Sequence, residues 1–308
     1  MNWRVKGVIQ KALSITPGGV AVNDWLQKTV GANRDFPGTL ASKVDDWAIF
    51  LSHTDKMNVG VQGLRLMEVG TGWFPTLPVC FYLAGVDSIV TYDLNRHLNQ
   101  EISFRMLRGL EPFLGRIAEA SHAPAAEVER RYGQLRAAAG LEQLLKSARI
   151  DYRSPADASR SGLPGNSVDI VFSNSVFEHV PPEPIQKILI ESYRVIKPGG
   201  LSIHSANCGD HYAYFDKSIT AINYLTYTNR QWKFWDNDLL YQNRLRPSDF
   251  VDMARRAKLE IPLVFHKARP ELLDALSRLT MAPEFQQYPP EQLCATSVDF
   301  VGRKPADA

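Results

Sequence analysis

Cysteine is scarce in this chain: 308 residues hold three, Cys80, Cys208 and Cys294, far apart and without any CxxC or Cys/His spacing. An odd, scattered set of thiols supports neither a disulfide framework nor a zinc site, and a reducing compartment is the expectation. Charge of one sign is not in surplus either: 35 Lys and Arg face 33 Asp and Glu, a formal net charge of +2. That balance is too even to advertise a nucleic-acid or membrane-surface partner. No apolar run approaches the roughly 20 residues that cross a bilayer, and no continuous apolar stretch of signal-peptide type follows Met1. Internal repeats and low-complexity tracts are missing too. A soluble, cytoplasmic protein is expected, long enough for one large α/β domain with additions.

What the chain does contain changes texture near residue 61. Before that point, Trp3–Leu13 sets Val5, Val8, Ile9, Ala12 and Leu13 near helical spacing, with Arg4, Lys6 and Lys11 between them. This basic amphipathic helix carries three charges, so docking on its own domain is expected, with weak peripheral association at a membrane surface as the alternative. Pro17-Gly18-Gly19 ends it; a second helical stretch covers Val20–Val30, Pro37-Gly38 marks a loop, and a third helix covers Ser42–His53. Residues 1–60 are thus expected to form an N-terminal helical cap.

From Leu64 onward, short apolar runs alternate with helical segments, the pattern of a mostly parallel α/β sheet covered on both faces. Strands are expected at Leu64–Val69, Ser88–Tyr92, Ile150–Arg153, Val168–Ser173, Leu201–Ser205, Pro262–His266 and Thr296–Val301. Between the second and third, residues 99–148 read as an inserted helical pair with breaks near Gly109, Gly115 and Ala123-Pro124.

The most informative run is Leu66-Met67-Glu68-Val69-Gly70-Thr71-Gly72-Trp73-Phe74-Pro75, a strand that enters a glycine turn and then a helix opened by proline. Gly70 and Gly72 allow a sharp bend and a close approach of backbone to ligand. Glu68, at the carboxyl end of its strand, reaches the crevice where open α/β sheets bind ligands, and a carboxylate there attracts an ammonium group. Ser88-Ile89-Val90-Thr91-Tyr92-Asp93 ends a second strand in acid, with Asp93 twenty-one residues after Gly72. That spacing suits a ribose clamp. A nicotinamide dinucleotide fingerprint needs a third glycine at position 75, where Pro75 stands, so NAD is discounted.

A third element, Ser154-Pro155-Ala156-Asp157-Ala158, follows the Ile150 strand and precedes Leu163-Pro164-Gly165-Asn166-Ser167-Val168-Asp169-Ile170-Val171-Phe172-Ser173. With the glycine turn and Asp93, this run resembles class I S-adenosylmethionine methyltransferases of the type 11-like kind. Asn174-Ser175-Val176-Phe177-Glu178-His179-Val180 resembles that family's fourth-strand exit, and Lys197-Pro198-Gly199-Gly200 the turn into its fifth strand. The resemblance covers about Leu64 to Ser205 and implies a Rossmann-like seven-stranded sheet whose last strand is antiparallel. It implies S-adenosylmethionine as cofactor, surrounded by Glu68, Gly70, Thr71, Gly72, Asp93, Leu94, Asp157, Ala158, Asn174 and Ser175, with Asp157 receiving the adenine amino group. The chain departs from the family pattern at Phe74, where many members have a third glycine.

Methyl transfer from a sulfonium is an in-line displacement in which alignment and exclusion of water dominate, and no metal is required. A hydroxyl acceptor calls for a base, and histidine is best tuned to neutral pH. His179, at the mouth of the fourth strand, and His211 are the candidates, with Asp210 beside them; His204, inside a strand, reads as a packing residue. The segment 207–246 is too long for a plain connection and is expected to bind the acceptor while forming a small auxiliary core. It holds Tyr212, Tyr214, Phe215, Tyr224, Tyr227, Trp232, Phe234, Trp235 and Tyr241, and Arg244 and Arg246 offer guanidinium groups either for an anionic substrate or as solvated charge. Asp210-His211-Tyr212-Ala213-Tyr214-Phe215-Asp216, with the later Tyr-Gln-Asn-Arg-Leu-Arg, resembles a subgroup of bacterial methyltransferases of polysaccharide and specialised biosynthesis. The leading expectation is O-methylation of a small molecule or glycan. N-methylation of a small amine and a non-catalytic, cofactor-holding partner subunit are the alternatives, and nucleic acid is not expected as a partner.

Overall fold

The computed structural model describes residues 2–16, 35–237 and 241–307. Seven strands, β1 (Arg65–Val69), β2 (Ser88–Tyr92), β3 (Ile150–Arg153), β4 (Val168–Asn174), β5 (Ile196–Asn207), β6 (Glu260–Phe265) and β7 (Ser297–Arg303), form one sheet in the order β3-β2-β1-β4-β5-β7-β6. The first five are parallel, and β7 is antiparallel to β5 and β6. This is the Rossmann-like α/β class that the sequence led one to expect, reversed last strand included. β1 and β2 send apolar side chains to both faces because both faces are covered: Leu66 and Ile89 enter one core, and Met67, Val69, Val90 and Tyr92 enter the other. The strand order reverses between β1 and β4, which opens a crevice at their carboxyl ends. β5 starts earlier than expected because Ile196 pairs with Val168 across a ladder irregularity. The Lys197–Gly200 turn is thereby taken into the strand, with Gly199 at φ +80°.

Helix α1 (Trp3–Ile15) is capped by Asn2, which accepts the Arg4 N–H at 3.0 Å. It docks through a face other than the one its aliphatic pattern implies. Trp3 is buried, whereas Val5, Val8 and Ile9 are exposed among the described residues. The indole decides the matter because it meets an aromatic pocket, with ring centroids 4.7 Å from Trp235 and 5.3 Å from Tyr212, and its N-terminal backbone N–H donates to Asp216 at 2.8 Å. Gly7 lets the helix approach, since a Cβ there would lie 3.0 Å from the Trp235 ring. The expected Val20–Val30 helix lies outside the described residues.

Helix α2 (Phe36–Lys56) begins six residues before its expected start. Asp35 accepts the Gly38 N–H at 3.0 Å and Pro37 sits in the first turn, so Pro37-Gly38 opens the helix where a loop was expected. Leu40, Val44, Trp47 and Leu51, at helical spacing, pack on the sheet layer next to α3 (Thr76–Leu83), which is buried on every side. The insertion holds four α-helices where a pair was expected: α4 (Gln100–Gly109), α5 (Leu114–Ser121), α6 (Ala125–Arg136) and α7 (Leu141–Ser147). Gly115 is accommodated inside α5; the chain turns instead at His122, in the left-handed region at φ +56°, just before Pro124 starts α6. Met106, Leu107, Ile117, Val128, Leu135 and Leu144 of these helices share one core with α2, α3 and the sheet.

The opposite face is covered by α8 (Pro182–Val195) and α10 (Pro247–Arg256), through Ile185, Leu189, Phe250 and Met253. Between them in sequence, α9 (Asn229–Trp235) and the rest of segment 207–246 build a third core from Trp3, Tyr212, Ile222, Tyr224, Leu225 and Trp232. Trp3 ties α1 to this core, so Trp3→Ala should lower stability by about 3 kcal/mol in urea unfolding. An unchanged midpoint would show that α1 contributes nothing to the fold.

Candidate functional site

The carboxyl ends of β1 and β2 bring the glycine loop and two acids together. Gly70 (φ +82°) and Gly72 (φ +73°) both lie in the left-handed region that other residues avoid. At Gly70 there is a steric reason as well, since a Cβ would fall 2.5 Å from Cγ2 of Val176. At Gly72 no atom of the described residues beyond its chain neighbours comes within 4 Å of the Cβ position. The Gly70 N–H donates to the carbonyl of Tyr92 at 2.9 Å, and Asp93 takes the next two amides, Thr71 N–H on Oδ1 at 3.1 Å and Gly72 N–H on Oδ2 at 3.2 Å. Burial pushes the Asp93 carboxyl above the usual range, opposed by hydrogen bonds from Tyr152, Gly72 and Thr71.

Glu68 is 4% exposed, and its Oε2 accepts from the hydroxyls of Thr91 at 2.8 Å and Thr71 at 2.9 Å; these two hydroxyls also contact each other. Thr91 is the register partner of Glu68 across the β1–β2 ladder. Burial raises the Glu68 pKa to about 8 despite both hydroxyl donors, and the neighbouring Asp93 adds to the rise.

The other expected cofactor residues distribute around this pair. Asp157 is exposed, caps a short 3₁₀ turn by accepting the Ser159 N–H at 2.8 Å, and precedes buried Ala158. The Ala156 N–H donates to the Asp93 carbonyl at 2.9 Å, which ties this segment to the end of β2. Leu94 is exposed beside it. Across the crevice Asn174 donates to Asp46 of α2 at 2.9 Å, and Ser175, at φ +55°, starts the turn that carries Val176 to Gly70. Trp73 lies against His97 with ring centroids 5.5 Å apart, and Phe74 lies against Phe36 at 5.4 Å, so both bulky residues have packing partners.

Beyond β4 and β5 stands a second group of polar side chains. His179 and His211 have ring centroids 5.2 Å apart, and Glu178 is 1% exposed, with Oε2 lacking a hydrogen-bond partner among the described residues. Burial raises the Glu178 pKa, opposed first by His179; His211, 8% exposed, is pushed down to about 4 by burial and then by His179. Asp210 does not join this group. Its Oδ1 accepts the Tyr212 N–H at 2.9 Å and its Oδ2 the Asn223 amide at 3.3 Å, so the nearly fully buried carboxyl caps a 3₁₀ turn, and burial lifts its pKa to about 6. His204 is a packing residue, held between Ser173 and Ser202 at 2.7 Å each and lowered by burial to about 3.

The two arginines, expected to bind an anion or to be solvated, make their hydrogen bonds inside the protein, although the buried Nη1 of Arg246 has no partner among the described residues. Arg246 is fully buried and donates to the Cys208 carbonyl at 2.8 Å and to the Tyr224 hydroxyl, while Arg244 bonds the carbonyls of Tyr224 and Tyr227 and the side chain of Asn229. Tyr212, Tyr224 and Trp232 are buried in the third core, leaving Tyr214, Phe215 and Phe234 as exposed aromatics of the segment. Tyr214 stacks on His211 with ring centroids 5.4 Å apart.

Several residues of the site carried no signal in the sequence reading. Thr91 had one available, since it lies two residues before Asp93 on the same face of a strand. Lys43 and Asp46 had none, because only packing brings α2 over the crevice: Lys43 lies close enough to lower the pKa of both Glu68 and Glu178. Gln242 and Asn243 also went unmarked. Gln242 receives the His211 N–H at 3.1 Å, and Asn243 donates to the carbonyls of Phe177 at 2.6 Å and Val180 at 2.8 Å.

A family model described as a methyltransferase domain matches residues 120–204, a stretch from the end of α5 through most of β5 that leaves the glycine loop and Asp93 outside. No curated protein matches the chain. Among solved structures, a Galdieria sulphuraria protein assigned as a sarcosine dimethylglycine methyltransferase is 16% identical, with 85% of this chain and 86% of that one covered and a TM-score of 0.47. A Listeria monocytogenes protein assigned as an S-adenosylmethionine-dependent methyltransferase is 11% identical, with 86% and 98% covered and a TM-score of 0.46. One from Mesorhizobium loti is 14% identical, with 82% and 96% covered and a TM-score of 0.42.

Glu68 makes stability depend on pH in a defined direction. The folded chain keeps its proton to about pH 8, whereas the unfolded chain releases it near the usual 4.5. Folding therefore binds a proton in that window, and stability falls as pH rises through it, by up to about 1.4 kcal/mol per pH unit. Glu68→Gln should flatten the decline in urea unfolding between pH 5 and 8; parallel slopes for the two proteins would mean that Glu68 is already ionised in the folded state.

Proposed function

We propose that this protein is an S-adenosylmethionine-dependent methyltransferase that methylates a hydroxyl of a small molecule or glycan. The observation that supports it most is the arrangement at the switch point: Glu68 and Asp93 flank a glycine loop whose amides Asp93 already holds, with the exposed Asp157 at the next strand end. These carboxylates suit the three polar parts of the cofactor. Glu68 would meet the ammonium, the remaining lone pairs of Asp93 the ribose hydroxyls, and Asp157 the adenine amino group. When bound, the cofactor supplies an electrophilic methyl group on a sulfonium. The methyltransferase-domain match over residues 120–204 supports the class of reaction.

The residues of this chain would have to orient the acceptor and receive its proton. Glu178, His179 and His211 offer that function next to Val176, which touches the glycine loop, and exposed Tyr214 offers a flat face to a sugar or similar polar scaffold. Asp210 is reassigned from that role to capping.

Calorimetric titration with S-adenosylmethionine, S-adenosylhomocysteine and NAD tests the reading. Binding of the adenosyl pair alone is expected, and binding of NAD alone would overturn it. Asp93→Ala should weaken S-adenosylhomocysteine by about 1 to 3 kcal/mol, and unchanged affinity would remove Asp93 from the site. Tight cofactor binding with no turnover on any hydroxyl or amine acceptor would favour a cofactor-holding partner protein.

A further inference from the structure

We infer that Glu178, His179 and His211 form a binding site for one divalent transition-metal ion, placed to hold and acidify the acceptor hydroxyl. Each residue offers a ligand atom, and the three atoms lie within 4.8 Å of one another. Small side-chain rotations bring such a set to the 2.0–2.2 Å bonds that imidazole nitrogen and carboxylate oxygen make with zinc-like ions.

Three independent features point to a cation. The first is the proton on His179. Its Nδ1 lies 2.9 Å from the backbone carbonyl of Tyr241. A carbonyl only accepts, so Nδ1 carries the hydrogen and Nε2 presents a lone pair, the arrangement that outer partners impose on metal-binding imidazoles. The second is the buried Oε2 of Glu178, which has no hydrogen-bond partner among the described residues. An unpaired carboxylate oxygen in the interior is costly unless it is protonated or faces a positive charge. The third is the common scaffold. Residues 241–243 hold all three ligand segments: Tyr241 fixes the His179 ring, Gln242 receives the His211 N–H, and the Asn243 N–H donates to the Glu178 carbonyl at 2.8 Å.

Two imidazoles and one carboxylate select cobalt, nickel, zinc, iron or manganese over calcium and magnesium, which prefer all-oxygen sets. Three protein ligands leave coordination positions open, as reactive sites require. For the methyl-transfer reading, on which only the catalytic use depends, the balance is simple. The acceptor hydroxyl, bound to the ion, releases its proton to water; its oxygen then forms the O–C bond as the C–S bond breaks, and that electron pair neutralises the sulfonium. The ion, rather than a free imidazole, thus makes the nucleophile.

The test is titration of the chelator-stripped full chain with Co²⁺, followed by visible absorption, with Zn²⁺ as competitor and S-adenosylhomocysteine binding measured in parallel. One Co²⁺ per chain, displaced by Zn²⁺, is expected. Glu178→Gln and His211→Asn should each weaken Co²⁺ by about tenfold or more, while His97→Asn leaves it unchanged. Near-UV circular dichroism establishes that each variant is folded, and if one is not, the other and His179→Asn carry the comparison. Co²⁺ binding without S-adenosylhomocysteine binding would uphold the ion site and overturn the methyl-transfer reading. Failure of Co²⁺ and Zn²⁺ to bind at micromolar concentration, or equal affinity in the folded variants, would overturn the ion site.

Discussion

The carboxylate of Asp93 holds the crevice in shape. Its two oxygens each accept one amide of the glycine loop, while the preceding residue, Tyr92, accepts a third from Gly70 through its carbonyl. The end of β2 thereby dictates the path of the chain leaving β1. The loop amides, in return, offset part of the cost of burying a carboxylate, and the Asp93 carbonyl receives Ala156, which draws the end of β3 to the same point. Gly70 must be glycine because the loop so fixed runs against Val176 from the exit of β4. Three strand ends are tied together by one acid and its neighbours.

A second constraint comes from residues 241–246, whose arginines read in sequence either as anion-binding groups or as solvated charge. They instead fasten the turn after β4 to the segment after β5 and to the aromatic core beyond it. Asn243 and Gln242 satisfy backbone groups of residues 177–180 and 209–211, and Arg244 and Arg246 satisfy carbonyls of 208, 224 and 227. Turning either guanidinium group out to an anion would break these internal bonds, so the bonds they make here fasten the fold. What they hold in place is the Glu178, His179 and His211 group, one turn from the glycine loop.

The site concentrates buried acids whose pKa values are all raised: Glu68, Asp93, Glu178 and Asp210. Asp210 resolves its burial with capping bonds. Glu68 does so with the hydroxyls of Thr71 and Thr91. Glu178 retains an oxygen without a partner among the described residues, and this difference separates it from Asp210 and Glu68.

Sequence alone placed the seven strands, because strands covered on both faces carry short runs rich in apolar residues, and β2 falls where such a run does. It also determined the glycine loop and the acids Glu68 and Asp93, since the left-handed turn and the strand-end carboxylates are local features that a linear pattern preserves. Other features were decided only by tertiary structure. Which face of α1 docks depended on an aromatic pocket assembled from residues more than 200 positions away, with Asp216 receiving the Trp3 amide. The approach of Lys43 and Asp46 to the crevice, and the meeting of His179 with His211, likewise arise from packing between segments distant in the chain. The fate of Asp210, Arg244 and Arg246 was of the same kind: a polar side chain reads the same whether it serves a ligand or the backbone, and only the folded chain shows which groups are left without a partner.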